Sequence, residues 1–568
     1  MSDTPAPGML PGYLRIFRTA PLPNTTPQRR KHSSINFMDA KFKVDSLDWV
    51  LTGELANEKA QPIFDEGIVN RIFSDQALGF SITSALVKRL DRLGAFVGYD
   101  TEISPNSQYD IADTLFFPKI KRRRPGLEGQ MADYLNHIGA VIAKETNRTA
   151  IRKWAATSFS KPLPGSPHDR KPDIMLSPLD VNVHHWRQVD CVAETSACVQ
   201  ANIKTKKTIV TKAFCMFTEQ PTRRYVINIW MVGEKFCVAY FDRSGQVVAT
   251  YPYHKRHTFV RLIAGLMFGS DKLLGYDPTA LRQDGYVTDV FVNGKQYQIQ
   301  CVLFTSHVLR GRGTVCWLAV ADGQQFVIKD TWADKDRQWE EAGFLERCKE
   351  EGICGVPLLI DREDVHVDGI ADSTRIRRDS EISLEDAENR VHRRLVMTPV
   401  CLPLNMFSCK SELVQAFIDI VTGIYFYSST FTFLMSELIS AHRQLIAAGI
   451  LHRDLSLNNL ALAPGPPSCS ALASNAMSAD NSGQISASST LLPTSAKSLQ
   501  SHHRKGMILD FDYAIWLKPL ERAGVEDMQD EEEKNREPSN RDRTVSRLQT
   551  SRTTSETCVT GYNSIYVD

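Results

Sequence analysis

The sequence is short of several features that would narrow its class. None of its 12 cysteines forms a C-x-x-C pair. A structural zinc ribbon or a small disulfide scaffold is therefore not indicated, and the thiol usage fits a reducing compartment. An excess of one charge is also missing, since 67 Lys+Arg against 66 Asp+Glu leaves +1. That excludes chain-wide attraction to nucleic acid or membrane and leaves only local patches for such roles. The opening MSDTPAPGMLPGYLRIF has no basic region followed by an apolar run, so it does not read as a secretory signal. No repeat of about 20–50 residues is visible. One uncharged run stands out, Ile420 to Ser436. Six of its residues are Ser or Thr, Asp419 and Glu437 close it, and no Lys/Arg asymmetry flanks it. It reads as a buried or inserted segment rather than a membrane span.

What is present is ordinary globular composition, 42% hydrophobic and 23% charged, over 568 residues. That length suggests two to four domains. Residues 1–40 are rich in Pro, Ser, Thr and Arg and read as a disordered tail. Residues 41–165 are expected to be mostly helical, with helices over Gln76–Phe96 and over GQMADYLNHIGAVIAKETNRTAIRKWAA. Between them lies PKIKRRRP, a basic loop with Lys119 to Arg124 at its centre. It is read as a solvated charge run or as a nuclear-import or phosphate-binding patch. Residues 166–298 form an α/β region. RRYVINIWMV, KFCVAYFD and GQVVATYPY read as strands, HTFVRLIAGLMF as a helix and LLGYDPT as a loop. Residues 299–518 hold a further β-rich block, with helical pattern over Asp334–Lys349 and Ser411–His452. The Ser/Ala-rich insert 464–503 and the acidic, polar tail 519–568 read as disordered.

The strongest chemical signal is LHRDLSLNNL. It places Asp454 after His452 and Arg453, and Asn459 five residues later, the spacing of a phosphoryl-transfer catalytic loop. That chemistry needs a carboxylate to accept a hydroxyl proton and a nearby amide oxygen to hold magnesium. Downstream, MILDFDYA sets Asp510 and Phe511 where D-F-G is expected, with Asp512 replacing the glycine. Upstream, FVIK puts Lys329 on a strand, and WEEAGFLERC offers Glu341, or alternatively Glu340, as its ion-pair partner. LRGRGTVCWLAV supplies Gly311 and Gly313 of a glycine-rich phosphate loop, with Cys316 at the third glycine's place. Five elements in the right order carry far more weight than any one of them.

Together with KPDI, FDRSG, LGYDPT and HRRLV, these stretches resemble the fungal-type protein kinases over about residues 170 to 515. The resemblance implies an α+β chain, a bilobal protein-kinase-like fold preceded by an α/β domain. It also implies ATP and Mg2+ as ligands and protein Ser/Thr hydroxyls as acceptors; cysteine usage and the opening residues point to an intracellular setting, nucleus or cytoplasm, with the basic loop Pro118–Pro125 as the candidate import signal. Asp454, Asn459 and Arg453 would be catalytic, and Asn459 and Asp510 metal ligands. Gly311, Gly313, Lys329 and Glu341 would serve the nucleotide. The protein substrate is not specified. Ser456 stands where many kinases carry a lysine, and the resemblance allows serine there. Only 58 residues follow Asp510, without an A-P-E, so a truncated C-lobe and a mis-spliced gene product are expected, with impaired activity. The competing class is a pseudokinase scaffold, and a third is a nucleic-acid-associated module using Pro118–Pro125. A weaker pattern is Asp173 in KPDI with Glu194 in VDCVAETSA. It is similar to the P-D…(D/E)-x-K arrangement of restriction-endonuclease-like folds. Ser196 holds the lysine place, so no active nuclease is expected.

Overall fold

A computed structural model describes residues 51, 62–96, 126–156, 162–166, 170–183, 185–196, 202–232, 235–378, 388–421, 441–463 and 505–517. The expectations for residues 1–40, the basic loop Pro118–Pro125, most of the uncharged run, the Ser/Ala insert and the tail 519–568 lie outside them. Among the described residues, no helix is long and apolar enough to cross a membrane.

The content is mixed α+β. The first sheet has seven strands: β1 (Ile63–Phe64), β2 (Arg152–Ala156), β3 (Ile174–Pro178), β4 (Cys191–Ser196), β5 (Tyr225–Val232), β6 (Lys235–Asp242) and β7 (Gly245–Pro252). Their order is β1-β7-β6-β5-β4-β3-β2. Helices α1 (Ile68–Ile72), α2 (Asp75–Leu78), α3 (Ser84–Arg92), α4 (Leu127–Thr146), α5 (Asn202–Glu219) and α6 (Arg256–Phe268) accompany it. Four of the six pairs are antiparallel; the edge pair β1–β7 is parallel, and so are β4 and β5, because α5 carries the chain back across the sheet.

Strand periodicity explains why both faces are covered. On β5, Tyr225, Ile227, Ile229 and Met231 enter one core, which also takes α1, α3, α4 and α6. Val226, Trp230 and Val232 enter the other, under α5. A strand buried on both faces reads as a near-continuous apolar run, as YVINIWMV does with Asn228 as its one polar break.

Two helix expectations for this part of the chain need correction. The stretch from Gln76 is broken at Gly79, which is left-handed (φ 73°) and ends α2. Thr83 then caps α3 by accepting the Leu86 N–H at 3.2 Å. The second expected helix stops at Thr146, where Asn147 turns left-handed, and KWAA becomes strand β2. Trp154 has its partners on both sides of this strand, its backbone bonded to Asn136 and its side chain in the sheet core. Tertiary pairing here overrides the helical preference of two alanines.

The second sheet is antiparallel throughout, in the order β13-β16-β12-β11-β10-β9-β8. Its strands are β8 (Ala280–Gln283), β9 (Tyr286–Val292), β10 (Lys295–Thr305), β11 (Val315–Ala321), β12 (Gln324–Asp334), β13 (Leu358–Asp364) and β16 (Arg390–Thr398), with a small hairpin β14 (His366–Val367) and β15 (Ile370–Ala371). Strand β12 continues to Asp334, so the helix expected from there begins only at Glu341, as α7 (Glu341–Glu350). Helices α8 (Lys410–Val421) and α9 (Ala441–Ala447) follow. The remaining strands are β17 (Leu402–Pro403), β18 (Ile450–Leu451), β19 (Leu460–Ala463), β20 (Lys505–Ile508) and β21 (Ile515–Trp516). Strands β19 and β20 pair antiparallel although residues 464–504 separate them in sequence. One apolar core, including Phe344, Leu345, Leu395, Leu445, Leu462 and Phe511, gathers α7, α8, α9 and these short strands.

The first sheet draws strands from both the 41–165 and the 166–298 stretches, and the second begins at Ala280. A buried ionic network joins the two. Arg394 reaches Asp330 at 2.8 Å, Thr279 at 2.7 Å and Asp277. His392 meets Asp330 at 2.7 Å and Asp372 at 3.4 Å, and Arg224 and Arg377 close on Asp372. Arg378 clasps Asp242. FDRSG, LGYDPT, VIKD and HRRLV all converge here. Burial opposes the charge on His392, but Asp330 and Asp372 raise its pKa to about 9. Asp277, Asp330 and His392 are close enough to hold a cation. Arg394 and a protonated His392 already supply the positive charge there.

Candidate functional site

Lys329 sits on β12 beside Val327, on the face opposite Phe326 and Ile328. Its Nζ lies 2.6 Å from Glu341 Oε2, 2.8 Å from Asp510 Oδ1 and 3.1 Å from Asp512 Oδ2. Glu341 is the first residue of α7, where a carboxylate also meets the positive end of the helix. Glu340, the alternative, instead pairs with Arg393 at 2.9 Å. Burial opposes charge on Lys329, but Asp510 and Glu341 hold its pKa above the ordinary lysine value. The reciprocal effect lowers Asp510: burial resists, and Lys329 and Arg312 pull it down to about 2. Lys329 and Asp510 are therefore both charged near neutrality.

The segment after β20 is shaped to deliver these carboxylates. Asp510 has φ 62°, a left-handed conformation uncommon for a residue with a side chain. Phe511 is fully buried, donates its N–H to Glu341 Oε1 at 3.3 Å and packs edge-on against His452, with ring centroids 4.8 Å apart. His452 Nε2 is 3.0 Å from the Leu509 carbonyl, while its Nδ1 faces the Asp454 N–H at 3.4 Å. One nitrogen must donate and the other accept, which is the neutral imidazole. Burial lowers the His452 pKa, in agreement.

Asn459 is placed by three bonds: its Nδ2 donates to the Asp454 carbonyl at 3.0 Å, its N–H to the Ser456 carbonyl at 2.9 Å, and its own carbonyl accepts the Leu509 N–H at 2.7 Å. The last ties the 452–459 loop to the segment after β20 that carries Asp510. Arg453 is not drawn in: it is exposed, with φ 68°.

The glycine-rich loop runs from β10 to β11, and Cys316, at the place of a third glycine, pairs directly across from Lys329. Gly311 and Gly313 both have positive φ, 118° and 51°. Between them, Arg312 forms an ion pair with Asp512 and comes within 3.9 Å of Asp510. Its guanidinium also lies 5.3 Å from the Tyr513 ring, and that of Arg337 lies 4.7 Å from it. Arg312 carried no sequence signal, since an arginine in a loop has no periodicity. Asp512 was visible only as a missing glycine. Glu341, Asp510 and Asp512 present ligand atoms within 4.8 Å of one another, an arrangement able to hold a cation.

The second constellation is also assembled, in a different way from the sequence pattern. Glu194 Oε1 accepts the Asp173 N–H at 3.3 Å and forms an ion pair with Lys212 of α5. Ser196 ends β4, while the lysine comes from the helix. Burial lowers the Lys212 pKa to about 8, with Asp173 opposing the fall. Trp186 is fully buried in the core under α5.

With this geometry in place, comparison with known families is informative. The model of the family described as "Fungal protein kinase" matches residues 171–531. The chain belongs to that fungal protein kinase family. A comparison with curated proteins gives no match.

Proposed function

We propose that this chain is an ATP- and magnesium-dependent protein kinase with a bilobal catalytic domain that phosphorylates protein serine or threonine hydroxyls. The observation that carries this is the Lys329 ammonium held between Glu341 and Asp510. Glu341 fixes the lysine so that its charge is presented to nucleotide phosphates, and the Gly311–Gly313 loop covers them. Asp510, with the side-chain oxygen of Asn459, would hold magnesium, while Asp512, a further carboxylate nearby, is engaged by Arg312. A magnesium ion held there would supply positive charge against the transferring phosphate. Asp454 takes the proton of the acceptor hydroxyl as its oxygen bonds to the γ-phosphorus and the bond to the β-phosphate breaks. Arg453 flanks Asp454 in sequence from an exposed position.

Magnesium-dependent transfer of the ATP γ-phosphate to a generic protein substrate by the full chain, lost in Asp454→Ala, tests this reading. Retained nucleotide binding in that variant would place the loss in chemistry rather than in folding.

A second reading rests on the Arg312–Asp512 pair, which spans the phosphate region. In it, the chain binds nucleotide as a scaffold without transferring phosphate. Stabilisation by ATP with no phosphotransfer in the parent chain would select it. The α/β domain supports a restriction-endonuclease-like topology without nuclease activity. Its α4–β2–β3–β4–α5–β5 order crosses over in parallel between β4 and β5, and Glu194 is engaged by Lys212.

A further inference from the structure

The turn joining β6 to β7 is built of Arg243 and Ser244, between the paired Asp242 and Gly245. Hairpin turns usually lie in water. Here Asp242, Arg243 and Ser244 are only 0%, 1% and 1% exposed. Arg378 closes over Asp242 and Thr374 over Ser244, while the glycine-rich loop of the second sheet covers Arg243. The Gly311 N–H donates to the Arg243 carbonyl at 2.8 Å, and Arg243 Nη1 donates to the Val308 carbonyl at 2.8 Å. The guanidinium rests 4.2 Å from the Phe217 ring of α5. A Cβ on Gly313 would stand 2.5 Å from Arg243 Nε, so this glycine is required by the arginine behind it. A second contact is apolar. Leu309, on the same loop, is fully buried within the core that lies between the first sheet and α5.

We propose that Arg243 is a positioning residue for nucleotide binding, holding the glycine-rich loop in a preformed cradle docked on the α/β domain. This rests on the kinase reading of that loop. A free loop loses backbone entropy for each residue it orders when it closes on phosphates. A loop already bonded through Gly311 and Val308 and plugged by Leu309 has met that loss on folding, so more of its contact energy appears as affinity. The α/β domain thereby sets the strength of ATP binding without touching ATP.

The test uses the full chain, with Arg243→Lys keeping the charge but not the paired donors. Hydrogen exchange of the amides at 306–314 is expected to speed up about tenfold while that of β5 and β6 stays unchanged. Calorimetry with Mg-ATP should show affinity falling about tenfold, with KM for ATP rising far more than kcat falls. Leu309→Ala should give the same two changes, and it decides the matter if the arginine variant does not fold. Loop exchange at the parent rate, or faster exchange with undiminished ATP affinity, would overturn the proposal. If the parent chain binds no ATP, the kinase reading fails. Loop exchange alone then judges the anchoring.

Discussion

Arg312 of the glycine-rich loop is ion-paired with Asp512, so the loop that enters β11 and the segment that leaves β20 are tied to each other across the site. Both partners are largely shielded, with side-chain exposures of 24% and 12%. A nucleotide's phosphates would compete with Asp512 for the same guanidinium.

Asp512→Gly should therefore tighten ATP binding, by roughly fivefold or about 1 kcal/mol, the scale of one charge-assisted bond. Arg312→Ala should weaken it. Titration calorimetry of both variants checks the pair, and a weaker Asp512→Gly complex would instead make Asp512 a metal ligand.

Lys329→Met leaves Glu341 and Asp510 without their shared cation. The Lys329–Glu341 pair is buried, and breaking such a pair by removing one partner costs about 3–5 kcal/mol. Denaturant midpoints should fall accordingly, and phosphotransfer should vanish. Glu341→Gln should retain more stability than Lys329→Met, because a neutral amide still bonds to the ammonium.

His392 gives the protein a pH signature. Its folded pKa is raised from 6.5 to about 9, so its contribution to stability is complete below 6.5 and is lost as pH rises through about 9. The shift corresponds to about 3 kcal/mol. Chemical denaturation between pH 6 and pH 10 should show that decline in the parent chain, and His392→Gln should flatten it. A slope unchanged in the variant would mean that another group titrates.

Lys212→Met should destabilise by about 3–5 kcal/mol, since Glu194 is then buried alone. Adding Glu194→Gln should recover most of the loss. A double-mutant cycle measures the coupling. Near-zero coupling would contradict an ion pair closed on itself and reopen Glu194 as a metal ligand.

Much of the strand content was legible because β-branched and aromatic runs such as YVINIWMV and KFCVAYFD leave few alternatives. Lys329, Glu341 and Asp510 were legible for another reason: the chemistry demands those types in that order, although 181 residues separate Lys329 from Asp510. The roles of Arg312, Arg243 and Lys212 were not legible. Each acts through a contact made only when distant segments meet, and a charged residue in a turn or on a helix looks solvated until its neighbours are known. Strand β2 was hidden because its pairing with β3 lies outside the local window that makes KWAA look helical.

The ionic network between the two sheets constrains how such a chain can change over generations. Asp242 is held by Arg378, and Asp277 and Asp330 by Arg394. A lone charge reversal at any of these would strand its partner in a dry interior, whereas a paired exchange would not. Drift should therefore be coupled across segments more than a hundred residues apart, as 136 residues separate Asp242 from Arg378. Recombination that imported one sheet from a distant relative would have to bring the other with it.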